Sequence, residues 1–138
     1  MYVSGVGKTK FGILNQSIPE LSYEAMLKAL EDSGRNIADI DMIIVANFAA
    51  GPLQKQLHLN SLVNSLLPGM NIPIIRVETA CASAGTAIYQ AGLMMNHFNN
   101  IMVLGVEKMT DISVYDVTKG IASATDMILD YKQGLIFA

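Results

Sequence analysis

The sequence is poor in reactive and charged side chains. It holds one cysteine, two histidines, and nine lysines and arginines against twelve aspartates and glutamates in 138 residues. A single cysteine closes no internal disulfide, so a disulfide framework is excluded and a reducing compartment fits. The net charge is −3 and no basic cluster exists, which leaves nucleic-acid binding without an electrostatic footprint. No apolar run comes near the roughly 20 residues a membrane helix needs. The start, M-Y-V-S-G-V-G-K-T-K-F-G, has no long apolar run behind its basic residues, so no signal peptide is expected. These absences predict a cytoplasmic protein with no metal, no nucleic-acid partner and no membrane partner.

What is present is apolar. Such residues make up 51% of the chain and charged ones 15%, little charge for a monomer that faces water all round. Either much of the surface faces another chain, or further polypeptide belongs to the fold. The length suits one domain with one core.

Apolar periodicity sets out the elements. Residues 2–6 alternate weakly and read as a short strand. Ser17-Ile18-Pro19-Glu20 is a helix start with the spacing of a capping box. Tyr23, Met26, Leu27 and Leu30 then share one helical face, Glu24 pairs with Lys28 on the outer side, and Gly34 ends the helix. Asp41–Ala46 is a β-branched apolar run and reads as a buried strand. A second helix follows Gly51-Pro52, carries Leu59, Leu62, Val63 and Leu66, and stops at Pro68-Gly69. Residues 73–77 form a third strand, 82–98 a third helix, 101–106 a fourth strand and 117–132 a last helix. The order β-α-β-α-β-α-β-α predicts an α/β fold with a mostly parallel sheet built from right-handed βαβ units.

The third helix reads A-S-A-G-T-A-I-Y-Q-A-G-L-M-M-N-H-F and has no charged residue. A helix without a charged face is normally buried all round. Few elements of this chain are available to wrap it, which again points to a missing partner layer.

Cys81 lies between a strand and the first turn of that helix. Free N–H groups and the partial positive charge of a helix start favour a thiolate there, and the same N–H groups suit a developing oxyanion. A strand, a sharp turn, a nucleophile and a helix together form a recurrent way of exposing a nucleophile above a sheet. Against this, free cysteine is among the most buried residue types, and the carboxylate of nearby Glu78 disfavours a thiolate. Position alone therefore leaves both readings open. No histidine is placed as a base. His97 is sixteen residues further on, roughly 24 Å along a helix. His58 falls inside the second helix and reads as a half-buried surface histidine.

Two other features carry no chemistry. Gly7-Lys8-Thr9 imitates the end of a phosphate-binding loop, but Tyr2 stands where that motif needs glycine. The nine methionines sit mostly at core positions and read as gap-fillers.

The segment Val77-Glu78-Thr79-Ala80-Cys81-Ala82-Ser83-Ala84-Gly85 resembles the nucleophile segment of thiolases, and Gly105-Val106-Glu107-Lys108-Met109-Thr110 resembles their Gly-x-Glu-x-Met-Ser/Thr segment. The opening V-S-G-V-G-K-T-K-F-G and the later I-A-S-A-T-D are similar too. The resemblance covers nearly the whole chain and is nearest to the archaeal, sterol-carrier-type acetyl-CoA acetyltransferases. Ketoacyl synthases and hydroxymethylglutaryl-CoA synthase share similar cysteine segments.

The resemblance implies that residues 1–138 are a partial thiolase-like N-terminal domain, an incomplete N-terminal half with the C-terminal half absent. It implies an acyltransferase in which Cys81 is the catalytic nucleophile and takes an acyl group from acyl-CoA. Claisen condensation, or thiolytic cleavage of a 3-ketoacyl-CoA, follows. Coenzyme A thioesters are then substrates, and no cofactor is expected. The family's second cysteine and its Gly-His-Pro motif are not in this sequence, so an inactive isolated chain is expected. The family also buries the helix after the nucleophile between its two halves, and it pairs the strand before the nucleophile across a dimer two-fold. Residues 73–79 would do so here, giving a homo-oligomer. The alternatives are a truncated or split-gene module for oligomerisation or partner binding, a ketoacyl-synthase-type fragment and, more weakly, a redox-sensing thiol.

Overall fold

The computed structural model describes residues 1–134. In chain order the elements are α1 (Ile18–Ser33), a 3₁₀ turn (Ile37–Asp39), β1 (Met42–Ala46), α2 (Ala50–Gln54) and α3 (Leu59–Ser65). Then come β2 (Ile74–Val77), α4 (Ser83–Met94), β3 (Ile101–Gly105), α5 (Val114–Ala122) and a final 3₁₀ turn (Tyr131–Gln133). The sheet is parallel throughout, with strand order β2-β1-β3. Central β1 pairs Ile43 with Ile74 on one side and Met42 with Ile101 on the other.

Residues 2–6 are not a strand, so among the described residues there are three strands rather than the four expected. The segment docks on α1 instead. A Cβ at Gly5 would lie 2.6 Å from the Ala29 carbonyl oxygen, and one at Gly7 closer still to that of Ala25. Val6 N–H donates to Asp32 Oδ2 at 2.8 Å, and Lys28 Nζ donates to the Lys8 carbonyl at 3.2 Å. Gly5 and Gly7 are the points where the segment comes closest to the helix.

The start of α1 is the expected capping box. Ser17 Oγ accepts from Glu20 N–H, and Glu20 Oε2 accepts from Ser17 N–H at 2.7 Å. The bonds from Ser17 hold the Glu20 carboxyl below the usual glutamate range. Gly34 ends the helix at φ 65°, a conformation that favours glycine. Glu24 and Lys28 pair as expected. The buried stripe, however, is Ile18, Leu21, Ser22, Met26 and Leu30. Tyr23 and Leu27 are exposed on the flank, along a cleft shared with Leu66 and Pro68. The i, i+3, i+4 pattern found the right helix but placed its core face too far round.

After β1, whose five residues are all buried, the single helix expected is two short ones. Lys55 breaks them apart at φ 53°. Leu59 and Val63 of α3 are fully buried, while Leu62 and Leu66 are half-buried.

The sheet divides the core in two. Ile43, Val45, Met102 and Leu104 face α1 and α3. Met42, Ile44 and Ala46 face α4, which meets them with Ala87 and Ala91. Small residues at this four-residue spacing let the helix lie close to the strands. Its outer side holds Ile88, Tyr89 and Leu93 at 51, 66 and 55% exposure, so the charge-free helix is not buried all round by this chain.

The last helix also differs. It starts earlier than 117 because Ser113 Oγ accepts from Asp116 N–H at 3.1 Å. It ends at Ala122. Ser123 Oγ turns back to the Gly120 carbonyl at 2.6 Å, and Asp126 Oδ1 takes the N–H groups of Ile128 and Leu129. Side-chain oxygens here offer the backbone an alternative to the helix.

Candidate active site

Cys81 is exposed, on a tight link between the carboxyl end of β2 and the start of α4. Ala80, just before it, is in the left-handed region at φ 48°, costly for a residue with a Cβ. Side-chain oxygens brace the turn around it. Glu78 Oε1 accepts from Ala80 N–H at 2.5 Å. Ser83, 5% exposed, accepts from Thr79 N–H at 2.9 Å and donates to the Ala80 carbonyl at 2.7 Å. The Thr79 and Thr86 hydroxyls bond at 2.7 Å. One oxygen of Glu78 is thus engaged by the backbone of the turn. The N-cap residue, Ala82, has no side chain to cap the helix. The leading N–H groups of α4 are therefore left to the backbone and to what lies outside, which favours an anionic group.

A polar network ties together the carboxyl ends of all three strands. Its hub is Asn47, only 2% exposed, immediately after β1. Asn47 Nδ2 donates to the Val106 carbonyl at 2.8 Å and to Glu107 Oε1 at 3.0 Å. Asn47 Oδ1 accepts from Ala50 N–H at 3.2 Å and from an Arg76 terminal nitrogen at 3.0 Å. Glu107 Oε2 accepts the N–H groups of Phe48 and Ala49, each at 3.0 Å. Arg76 donates to the carbonyls of Asn47 and Phe48 at 3.3 Å, and its Nε is buried without a partner. Just beyond, Gln54 Nε2 bonds the Lys108 carbonyl and Asp111 Oδ1, which holds the Asp111 carboxyl below the usual range, with help from Lys108.

The histidines lie apart from this end of the sheet, or are exposed. His97 is not helical: α4 stops at Met94, and His97 follows in a turn. It lines a cavity of about 430 Å³ with Ile40, Asp41, Ile72 and Asn99, at the amino ends of the strands. Cys81 is at the opposite end. His58 is exposed and stands at the N-cap position of α3 with no side-chain capping bond, rather than half-buried inside a helix as expected. Neither imidazole shares a hydrogen bond with Cys81. Among the described residues no three His, Cys, Asp or Glu side chains are grouped to hold a metal ion.

The sequence singled out Cys81, which the structure places exposed on the turn before α4, and used Glu107 only as a marker of resemblance. It missed Asn47, Arg76 and the bracing role of Ser83. Arg76 carried a signal, as a lone charge in the apolar run Ile74-Ile75-Arg76-Val77. Asn47 carried another, as the first polar residue after a wholly buried strand.

A parallel α/β sheet with a cysteine on a strained strand-to-helix turn defines a class, and the comparisons place the chain within it. Residues 2–137 match the model of the thiolase N-terminal domain. The chain belongs to the thiolase family. It is 42% identical to an acetyl-CoA acetyltransferase of Methanothermobacter thermautotrophicus, over 98% of this chain and 36% of that protein. It is 44% identical to the acetyl-CoA acetyltransferase of Methanocaldococcus jannaschii, over 98% of this chain and 35% of the relative. The chain thus spans about a third of the length of the curated relatives it matches. Among solved structures, 3-oxoacyl-[acyl-carrier-protein] synthase III of Aquifex aeolicus superposes with a TM-score of 0.59 at 21% identity, over 69% of this chain and 31% of that one. The fold is therefore thiolase-like α/β, in partial form.

Proposed function

We propose that this chain is the nucleophile-bearing part of a thiolase-type acyltransferase and that Cys81 accepts the acyl group. The observation that carries this reading is the exposed Cys81 at the uncapped start of α4, in a chain of this family. The sulfur attacks the carbonyl of an acyl-CoA, and a tetrahedral oxyanion forms. Its collapse breaks the bond to the coenzyme A sulfur, which leaves and takes up the proton lost by Cys81. The product is an acyl thioester on Cys81. A second acyl-CoA, deprotonated at its α-carbon, then attacks the thioester carbonyl; the new C–C bond forms as the bond to Cys81 Sγ breaks, which releases a 3-ketoacyl-CoA and leaves the Cys81 thiolate to take up a proton, or the reverse cleavage runs. The helix start supplies N–H dipoles for the oxyanion. The bases for both proton transfers are expected from the part of the relatives that this chain does not span, so the chain alone is expected to be inactive. No cofactor enters this scheme, and coenzyme A thioesters serve as substrates.

The test is to incubate the chain with acetyl-CoA, alone and combined with the downstream part of the Methanothermobacter relative, and to map adducts by mass spectrometry. One acetyl group on Cys81 in the combined protein, lost in Cys81→Ala, is the expected result. No adduct in the combined protein overturns the proposal.

A second reading, an oligomerisation or partner module, is favoured by the bare outer side of α4 and by the outer edge of β2, which has no strand beside it among the described residues. Such an edge is a template for pairing with a second copy. Sedimentation separates the readings: a monomer at working concentrations removes the self-pairing form. Among the described residues no helix is long and apolar enough to cross a membrane. The single cysteine suits a reducing compartment, and a cytoplasmic location is part of the proposal.

A further inference from the structure

The loop that leaves β1, residues 47–50, is held from two sides by opposite charges. Its N–H groups at Phe48 and Ala49 go to the Glu107 carboxylate. Its carbonyl groups at Asn47 and Phe48 go to the Arg76 guanidinium. The two charged groups are bridged by the buried Asn47 amide, whose N–H side faces Glu107 and whose oxygen faces Arg76. Each residue comes from the end of a different strand: Arg76 from β2, Asn47 after β1 and Glu107 after β3. Asn47 N–H also closes on the Val77 carbonyl at 3.3 Å, so the loop lies against the strand end that leads to Cys81. In open α/β sheets the carboxyl ends of the strands form the ligand crevice.

We propose that Glu107 and Arg76, acting through Asn47, are positioning residues that fix the loop 47–50 as a wall beside Cys81, and so set what can approach the sulfur. This rests on the reading of Cys81 as a nucleophile, but its test does not use acyl transfer. Glu107 belongs to the segment that follows β3, so the inference gives that segment a task at a cysteine carried by another strand.

Cys81 is the only cysteine, so every thiol adduct reports on it. The 138-residue chain is labelled with iodoacetamide, which is small, and with a bulky maleimide, and the ratio of the two rates is read. General loosening raises both rates together. A displaced wall changes the ratio. Glu107→Gln keeps the shape but turns an acceptor into a donor that opposes Asn47 Nδ2. The ratio is expected to change about fivefold, within the range of coupled neighbours. A ratio unmoved by Glu107→Gln overturns the proposal. Should Glu107→Gln not fold, Arg76→Lys and Arg76→Met are read in the same way. The methionine variant departing further than the lysine variant supports the proposal, and equal ratios in the two overturn it. If this test succeeds while no acetyl group reaches Cys81, the wall stands and only the acyltransferase reading falls.

Discussion

The two faces of the sheet are closed by different means. On one, α1 and α3 press Met26, Leu30, Leu59 and Val63 onto Ile43 and Val45. On the other, α4 lays Ala87 and Ala91 against Met42 and Ile44 and shows its larger apolar residues to the outside. The first face derives its stability from the volume of its side chains. The second depends on closeness, since small residues bring a helix backbone down onto the strands and leave its bulk for something else to cover. The same helix begins next to Cys81, so the thinly covered face is also the one that bears the candidate chemistry.

Three substitutions test this contrast, each read by chemical denaturation. The largest effect is expected from Leu59→Ala, which empties a fully buried site on the bulky face. It should cost about 2–5 kcal/mol. A cost under about 1 kcal/mol, small for a buried leucine, would mean that this face collapses onto the gap and is no better packed than the other. Next is Ala87→Leu, which inserts bulk where α4 touches the sheet. A loss of about 1–3 kcal/mol from overpacking is expected. A neutral result would show room beneath the helix and remove the idea of close approach. The smallest is Tyr89→Ser on the outer side of α4, expected to stay within about 0.5 kcal/mol. A larger loss that depends on protein concentration would show that this surface is already covered by another copy.

The elements that could be read from the sequence are those whose cause is local. Ser17, Pro19 and Glu20 define the start of α1 within four residues, and Gly34 defines its end. The run Met42–Ala46 is apolar on both faces because both faces are covered, and it read as a buried strand for that reason. Features that depend on distant partners were not legible. Residues 2–6 alternate like a strand, yet their course is set by contacts of Gly5 and Gly7 with α1, at residues 25 to 33. Tyr23 and Leu27 fit the helical period but lie outside the stripe that meets the sheet. At the site, Cys81 was singled out because a strand, a tight turn and a helix start lie within a few residues of it. Asn47 and Glu107 meet across sixty positions of sequence, and no periodicity announces such a pair. The strain at Ala80 was equally hidden, because alanine gives no warning of a positive φ.

The all-parallel register has a consequence for how the chain is made. Neither edge of β1 can be closed by a neighbouring hairpin, because Ile43 waits for Ile74 and Met42 waits for Ile101. At synthesis rates of about 5–20 residues per second, an interval of about 60 residues takes roughly 3–12 s. For that time Met-Ile-Ile-Val-Ala exists as a nascent strand with an open edge, uncharged and rich in β-branched residues, the composition most prone to pair with the wrong neighbour. The central strand of the finished sheet thus waits longest for its second partner, Ile101–Gly105.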